Sequence, residues 1–160
     1  MRTCPVVITT SRQLSPRIPR AYVSSYAGPV QIDPNARLGY VAKVDTATLK
    51  VVAECPVGYQ PDELVIHGDK LYVANSGGYR VPNYDKTISV IDLKTFTELK
   101  KVDVAINLHR LELDNYGKIW VSSRGDYYKV PSKIFVFDPK TEQVTKTLDV
   151  SCSCLLYTSD

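Results

Sequence analysis

Apolar positions along this chain fall in short runs, each closed by turn-forming residues. Thr87-Ile88-Ser89-Val90-Ile91 and Lys70-Leu71-Tyr72-Val73-Ala74 are rich in β-branched and aromatic residues, and Gly, Asn, Asp and Pro gather between such runs. No window of about 11 residues carries a 3.6-residue period, so the pattern predicts short strands and no helices. The middle of the chain reads as four of them: Glu63–His67, a Gly68-Asp69 turn, Lys70–Ala74, then after a loop Thr87–Ile91, and finally Thr97–Val102.

That four-strand unit recurs. Ala21-Tyr-Val-Ser-Ser25 aligns with Leu71-Tyr-Val-Ala-Asn75 and Ile119-Trp-Val-Ser-Ser123. Each is followed by an apolar strand ending in Asp-x-x-Thr, at Asp45–Thr48, Asp92–Thr95 and Asp138–Thr141, and the three aspartates stand 47 and 46 residues apart. A further strand follows each motif: Val51–Cys55, Glu98–Val102 and Gln143–Thr147. Asp-x-x-Thr fits a tight hairpin whose two side chains bond the turn's own backbone. Four strands in roughly 40–50 residues is the blade signature of a β-propeller. The fold expected is therefore all-β, a partial propeller of about three four-stranded antiparallel blades, covering residues 20–150 as units of about 20–66, 67–113 and 114–150.

Leu71-Tyr-Val-Ala-Asn75, Ile88-Ser-Val-Ile-Asp92 and Val57-Gly-Tyr-Gln-Pro61 resemble the YVTN-type propeller repeat, and especially the YncE-like proteins of the bacterial envelope. The tetrad occurs as Tyr-Val-Ala-Asn only once, and the loop after it is longer than that family's usual short turn. The resemblance implies a ring of about seven blades, a periplasmic or cell-surface location, and a scaffold rather than a defined chemistry. Three blades leave two open flanks with unpaired edges, so the chain is expected to be a piece of a longer protein.

The ends read differently from the repeats. Residues 1–19 match none of them and are set aside as a leader or false start. In that segment Val6-Val7-Ile8 is shorter than the ~7–15-residue apolar core of a secretory signal. Residues 151–160 read as a non-native tail, because Cys154–Asp160 resembles the translated end of a sequencing-library adapter.

Charge and cysteines narrow the picture further. The net charge of +3 comes from Arg2, Arg12 and Arg17, with no acid among the first nineteen residues, and the rest of the chain is balanced. A nucleic-acid partner, which needs a clustered basic face, is not expected. No apolar stretch reaches the ~18 residues of a transmembrane segment. Of Cys4, Cys55, Cys152 and Cys154, none forms a Cys-x-x-Cys pair, and Cys55 reads as a small buried hydrophobe in a strand. No metal site and no cofactor are expected.

Candidate chemistry gathers on one face. In blade topology the loops between second and third strands share a rim with the crossovers between blades. Tyr26, Tyr79, Arg80, Arg124, Asp126 and Tyr127 lie in those loops, and Tyr59, Gln60, Asp62, Asn107, His109 and Arg110 lie in the crossovers. Eleven tyrosines against three phenylalanines strengthen the case for a wet binding surface. Tyr, Arg and Asn together suit a glycan, a peptide or an envelope protein, through ring stacking and forked hydrogen bonds. The same loops could instead pack on one another as a purely structural module. Some YVTN-like propellers resemble lactonases, for which Asp62, Glu63, His109, Arg110, Arg124 and Asp126 supply the acids, bases and cations, though no residue is assigned as catalytic.

Overall fold

The computed structural model describes residues 8–11 and 20–151. The tail set apart above lies, from residue 152 on, outside the described residues, as do residues 1–7 and 12–19 of the leader. Among the described residues, twelve strands build the fold. They are β1 (Ile8–Ser11), β2 (Arg20–Ser25), β3 (Leu38–Asp45), β4 (Lys50–Tyr59), β5 (Pro61–His67), β6 (Lys70–Asn75), β7 (Thr87–Asp92), β8 (Thr97–Asp103), β9 (Leu108–Leu113), β10 (Ile119–Ser123), β11 (Lys133–Asp138) and β12 (Gln143–Leu148). They form three antiparallel meanders in sequence order, β1–β4, β5–β8 and β9–β12. Ile8–Ser11, inside the segment that matched no repeat, pairs with β2 in the place that β5 and β9 hold in the other sheets. Its Ile-Thr-Thr-Ser run has the β-branched character of a strand, and the surrounding Arg and Pro residues hide it.

The alternation of side chains along β6 explains how the sheets stack. Leu71 and Val73 point to the first sheet and share a core with Tyr22, Val41, Cys55 and Val57. Tyr72 and Ala74 point the other way, into a core with Leu108, Leu111, Ile119, Val121 and Phe137. A strand buried on both faces reads as a continuous apolar run, which is why this repeat stands out in the sequence. The outer strands β8 and β12 are mostly exposed and carry Lys100, Lys101 and Lys146, charges that discourage pairing at an open edge.

The same hairpin closes every blade. Asp45 Oδ1 accepts from the Ala47 and Thr48 amides, Asp92 Oδ1 from the amide and hydroxyl of Thr95, and Asp138 Oδ1 from the Lys140 amide. The fourth residue after each aspartate, Leu49, Phe96 or Glu142, takes a left-handed backbone with φ of 56°, 56° and 54°. A β-bulge follows in each blade, between Lys43/Val44, Val90/Ile91 and Val136/Phe137. The turn aspartates are held below the ordinary carboxylate range. The Thr48 amide is the main cause for Asp45, the Thr95 amide for Asp92, and the Lys118 ammonium for Asp138.

The left-handed position also joins one blade to the next. Phe96 packs its ring against Tyr22 of the first blade, centroids 5.8 Å apart, beneath the Lys43 ammonium at 5.1 Å. Burial, helped by the Arg20 charge, lowers the pKa of that lysine. Glu142 instead receives Lys70 at 2.7 Å and Lys100, both from the second blade. Tyr72 crosses the same boundary, edge-on to Phe137 at 5.8 Å, with its hydroxyl 3.5 Å from the Pro139 carbonyl. Such aromatic pairs contribute about 0.5–1.5 kcal/mol beyond area burial. Desolvation, with the charges of Glu142, Asp69 and Asp138 behind it, pushes the Tyr72 phenol up to about 12.

Leu49 occupies the left-handed position of the first turn but is 81% exposed, so no packing offsets its steric cost. Leu49→Gly is expected to raise stability by about 0.5–1 kcal/mol in urea titrations. The turn carboxylates set an acid limit. With folded pKa values below the unfolded ones, their stabilisation is complete above pH ~4. It is lost as pH falls through the folded values. Thermal melts from pH 6 to 2 should show this loss, and Asp92→Asn should lose less over that range than the parent.

Candidate functional site

The crossovers between blades carry the residues that shape the loop face. Gln60 and Asn107 hold equivalent places, one at each described crossover, both buried and both with positive φ (47° and 53°). Gln60 Oε1 accepts from the Tyr79 amide at 2.7 Å, and Asn107 Nδ2 donates to the Gly125 carbonyl at 3.0 Å. Each side chain therefore points inward and fastens the long loop of its own blade. Asn75 and Asp85 complete the first crossover, accepting from the Gly58 amide at 3.1 Å and the Tyr59 amide at 2.8 Å.

The loops themselves are internally pinned. Asp126 Oδ1 accepts from the amides of Tyr128, Lys129 and Val130 at 2.9, 2.8 and 2.7 Å. These bonds, the Tyr128 amide first, hold its carboxyl below the usual range. Arg80 lies over the Tyr59 ring at 3.5 Å and donates to the Asn83 carbonyl. The first and second loops meet where the Asp33 amide donates to the Tyr79 carbonyl and the Tyr26 and Tyr79 rings approach to 6.4 Å.

Between these loops opens a cleft of about 660 Å³, within the size range of small-ligand sites. Tyr26 and Ile32 line it from the first loop, Gly78, Tyr79 and Val81 from the second, and Arg124 and Tyr127 from the third. The inner strands contribute Asp62, His109 and Arg110. Among the residues singled out from the sequence, Tyr26, Tyr79, His109, Arg110, Arg124 and Tyr127 thus come together around one space. Tyr59, Gln60, Arg80, Asn107 and Asp126 stand behind it as supports for the loops. Ile32 and Val81 were not singled out. Their signal was an aliphatic residue close to a proline in a loop.

The cleft holds a linked polar cluster. His109 Nδ1 lies 2.9 Å from Asp62 Oδ2, and Arg124 Nη1 lies 3.5 Å from the same oxygen. Arg124 Nη2 sits 2.7 Å from Nδ1 and 2.9 Å from Nε2 of His109, so the guanidinium lies across the imidazole edge. The tautomer that serves both partners has Nδ1–H donating to Asp62 and Nε2 accepting from Arg124. Beside it Arg110 pairs with Glu63. Asp62 and Glu63 from β5 thus face His109 and Arg110 from β9, and Arg124 closes over the first pair. Nearby Glu112 is raised by burial and by the Glu63 charge.

Stacked four-stranded antiparallel meanders whose inner strands converge under a loop face are β-propeller blades, and the chain is a partial β-propeller. Its fold is similar to that of two propeller-type proteins of known structure. One is the Kuenenia stuttgartiensis hydrazine synthase, at a TM-score of 0.56 and 22% identity, covering 73% of this chain and 34% of that one. The other is the dihydro-heme d1 dehydrogenase NirN in complex with DHE, at 0.58 and 11%, covering 89% and 27%. The match spans about a third or less of either protein's length. No protein-family model matches the sequence, and no curated protein does.

Gly125 is the backbone joint of the third loop. Its φ is 65°, and an added Cβ would stand 1.9 Å from the Val130 carbonyl oxygen. Gly125→Ala is expected to cost more than ~1 kcal/mol, and to speed amide hydrogen exchange across residues 124–131 ahead of the rest of the blade.

Proposed function

We propose that the protein is a non-enzymatic binding scaffold of the bacterial cell envelope, a YVTN-type, YncE-like propeller that holds a glycan or peptide ligand, or an envelope protein, on its loop face. One observation carries the reading: three loops from three successive blades converge on a single cleft with exposed tyrosines at its rim and charged groups at its floor. Long loops on a rigid scaffold are a common seat of recognition, and Tyr rings offer large contact area at low entropic cost. The envelope location and the family rest on the resemblance of Leu71–Asn75, Ile88–Asp92 and Val57–Pro61 alone.

The Asp62–His109 bond favours a second reading, a lactonase-type hydrolase. An imidazole oriented by a carboxylate becomes a general base once Arg124 leaves Nε2 to face a developing oxyanion. A lactone-hydrolysis assay with and without added divalent metal separates this reading from binding alone.

For the binding reading, glycan and peptide arrays and pull-downs from envelope extract are the direct test. Tyr79→Ala and Tyr127→Ala should each weaken capture about tenfold while leaving the melting temperature within a few degrees. Undiminished capture in both variants would return the loop face to a purely structural role.

A further inference from the structure

The charges of the cleft are layered. Asp62 and Glu63 are the deep members of their pairs, with side chains 8% and 13% exposed, whereas their partners Arg124 and Arg110 are 27% and 37% exposed. Asp62, the carboxylate in the lining, lies beneath His109 and Arg124 and is engaged by both. What a ligand meets is therefore the guanidinium layer, with the acids tethering it from below. An arginine carries five N–H donors. Asp62 and His109 engage only Nη1 and Nη2 of Arg124. Two acid-paired guanidiniums in the lining of one cleft suit a planar oxyanion, and forked N–H donors favour a carboxylate.

The rim of the same cleft has different chemistry. Tyr79 and Tyr127 expose their rings, joined by Ile32 and Val81. Flat rings bearing hydroxyls suit the C–H face and the hydroxyl edge of a sugar. Building on the binding reading above, we propose that the cleft recognises an acidic sugar, with the carboxylate on Arg110 and Arg124 and the ring against Tyr79 and Tyr127. A cationic ligand is disfavoured, because the acid it would seek is covered by Arg124.

Ligand-observed NMR titrations on the whole chain, with glucuronate, glucose and benzoate as probes, test this. Glucuronate should bind at least tenfold more tightly than glucose and more tightly than benzoate. Arg124→Gln should reduce the glucuronate-to-glucose ratio to within about threefold, and Tyr127→Ala should weaken both sugars alike. Arg110→Gln provides the same test if Arg124→Gln disturbs folding. Equal binding of glucose and glucuronate overturns the acid assignment and leaves the binding cleft standing. Preference for benzoate overturns the sugar assignment. Silence from all three probes overturns the proposal, and silence from the arrays as well removes the binding reading with it.

Discussion

Burial of both faces of the central sheet is the constraint on which the rest depends. A sheet with Leu71 and Val73 on one side and Tyr72 and Ala74 on the other can only exist between two others. A slip of one residue in β6 would exchange the two sets, placing a tyrosine where the first interface accepts a leucine. The stacking brings the inner strands β5 and β9 side by side, and this proximity alone sets Asp62 against His109 and Glu63 against Arg110. The cleft is thus a by-product of core packing, held to the accuracy of the core.

The loops above it are long, yet they are not left to find their own shape. Gln60 and Asn107 accept left-handed backbones and full burial, and each returns a hydrogen bond to a loop that turns at Gly77 or Gly125. Amide side chains suit this task because they can both donate and accept without bringing a charge into the interior. Asp126 does the equivalent work at the surface, where a charged acceptor costs little. Rim residues such as Tyr127 are therefore exposed on a backbone that is already held in place, a form of preorganisation that lowers the entropic cost of binding.

The repeat, the four-strand unit and the hairpin motif were legible because they rest on local chemistry: β-branched runs, and an Asp with a Thr three residues on. The strand Ile8–Ser11 was not, since it has no repeat partner of matching sequence and is recognisable only through its pairing with β2. The rim as a place was readable from topology. Its division into lining and support was not, because whether Gln60 or Asn107 points out or in depends on a backbone sign that composition does not reveal. The contact among Asp62, His109 and Arg124 joins residues from two inner strands and a loop of two blades, and no spacing rule anticipates it.

The residue that follows the Asp-x-x-Thr motif gives the array an order. In the second blade it is a phenylalanine that sits beneath an aromatic ring and a lysine; in the third it is a glutamate that gathers two lysines. A copy of the second blade moved to the third place would bring a benzene ring to a slot lined by ammonium groups, leaving Lys70 and Lys100 without their shared anion. A copy moved the other way would put a carboxylate against Tyr22. The second and third blades therefore each bear, at one codon, an address that the preceding blade reads, and modules that look interchangeable by fold cannot be shuffled without rewriting it.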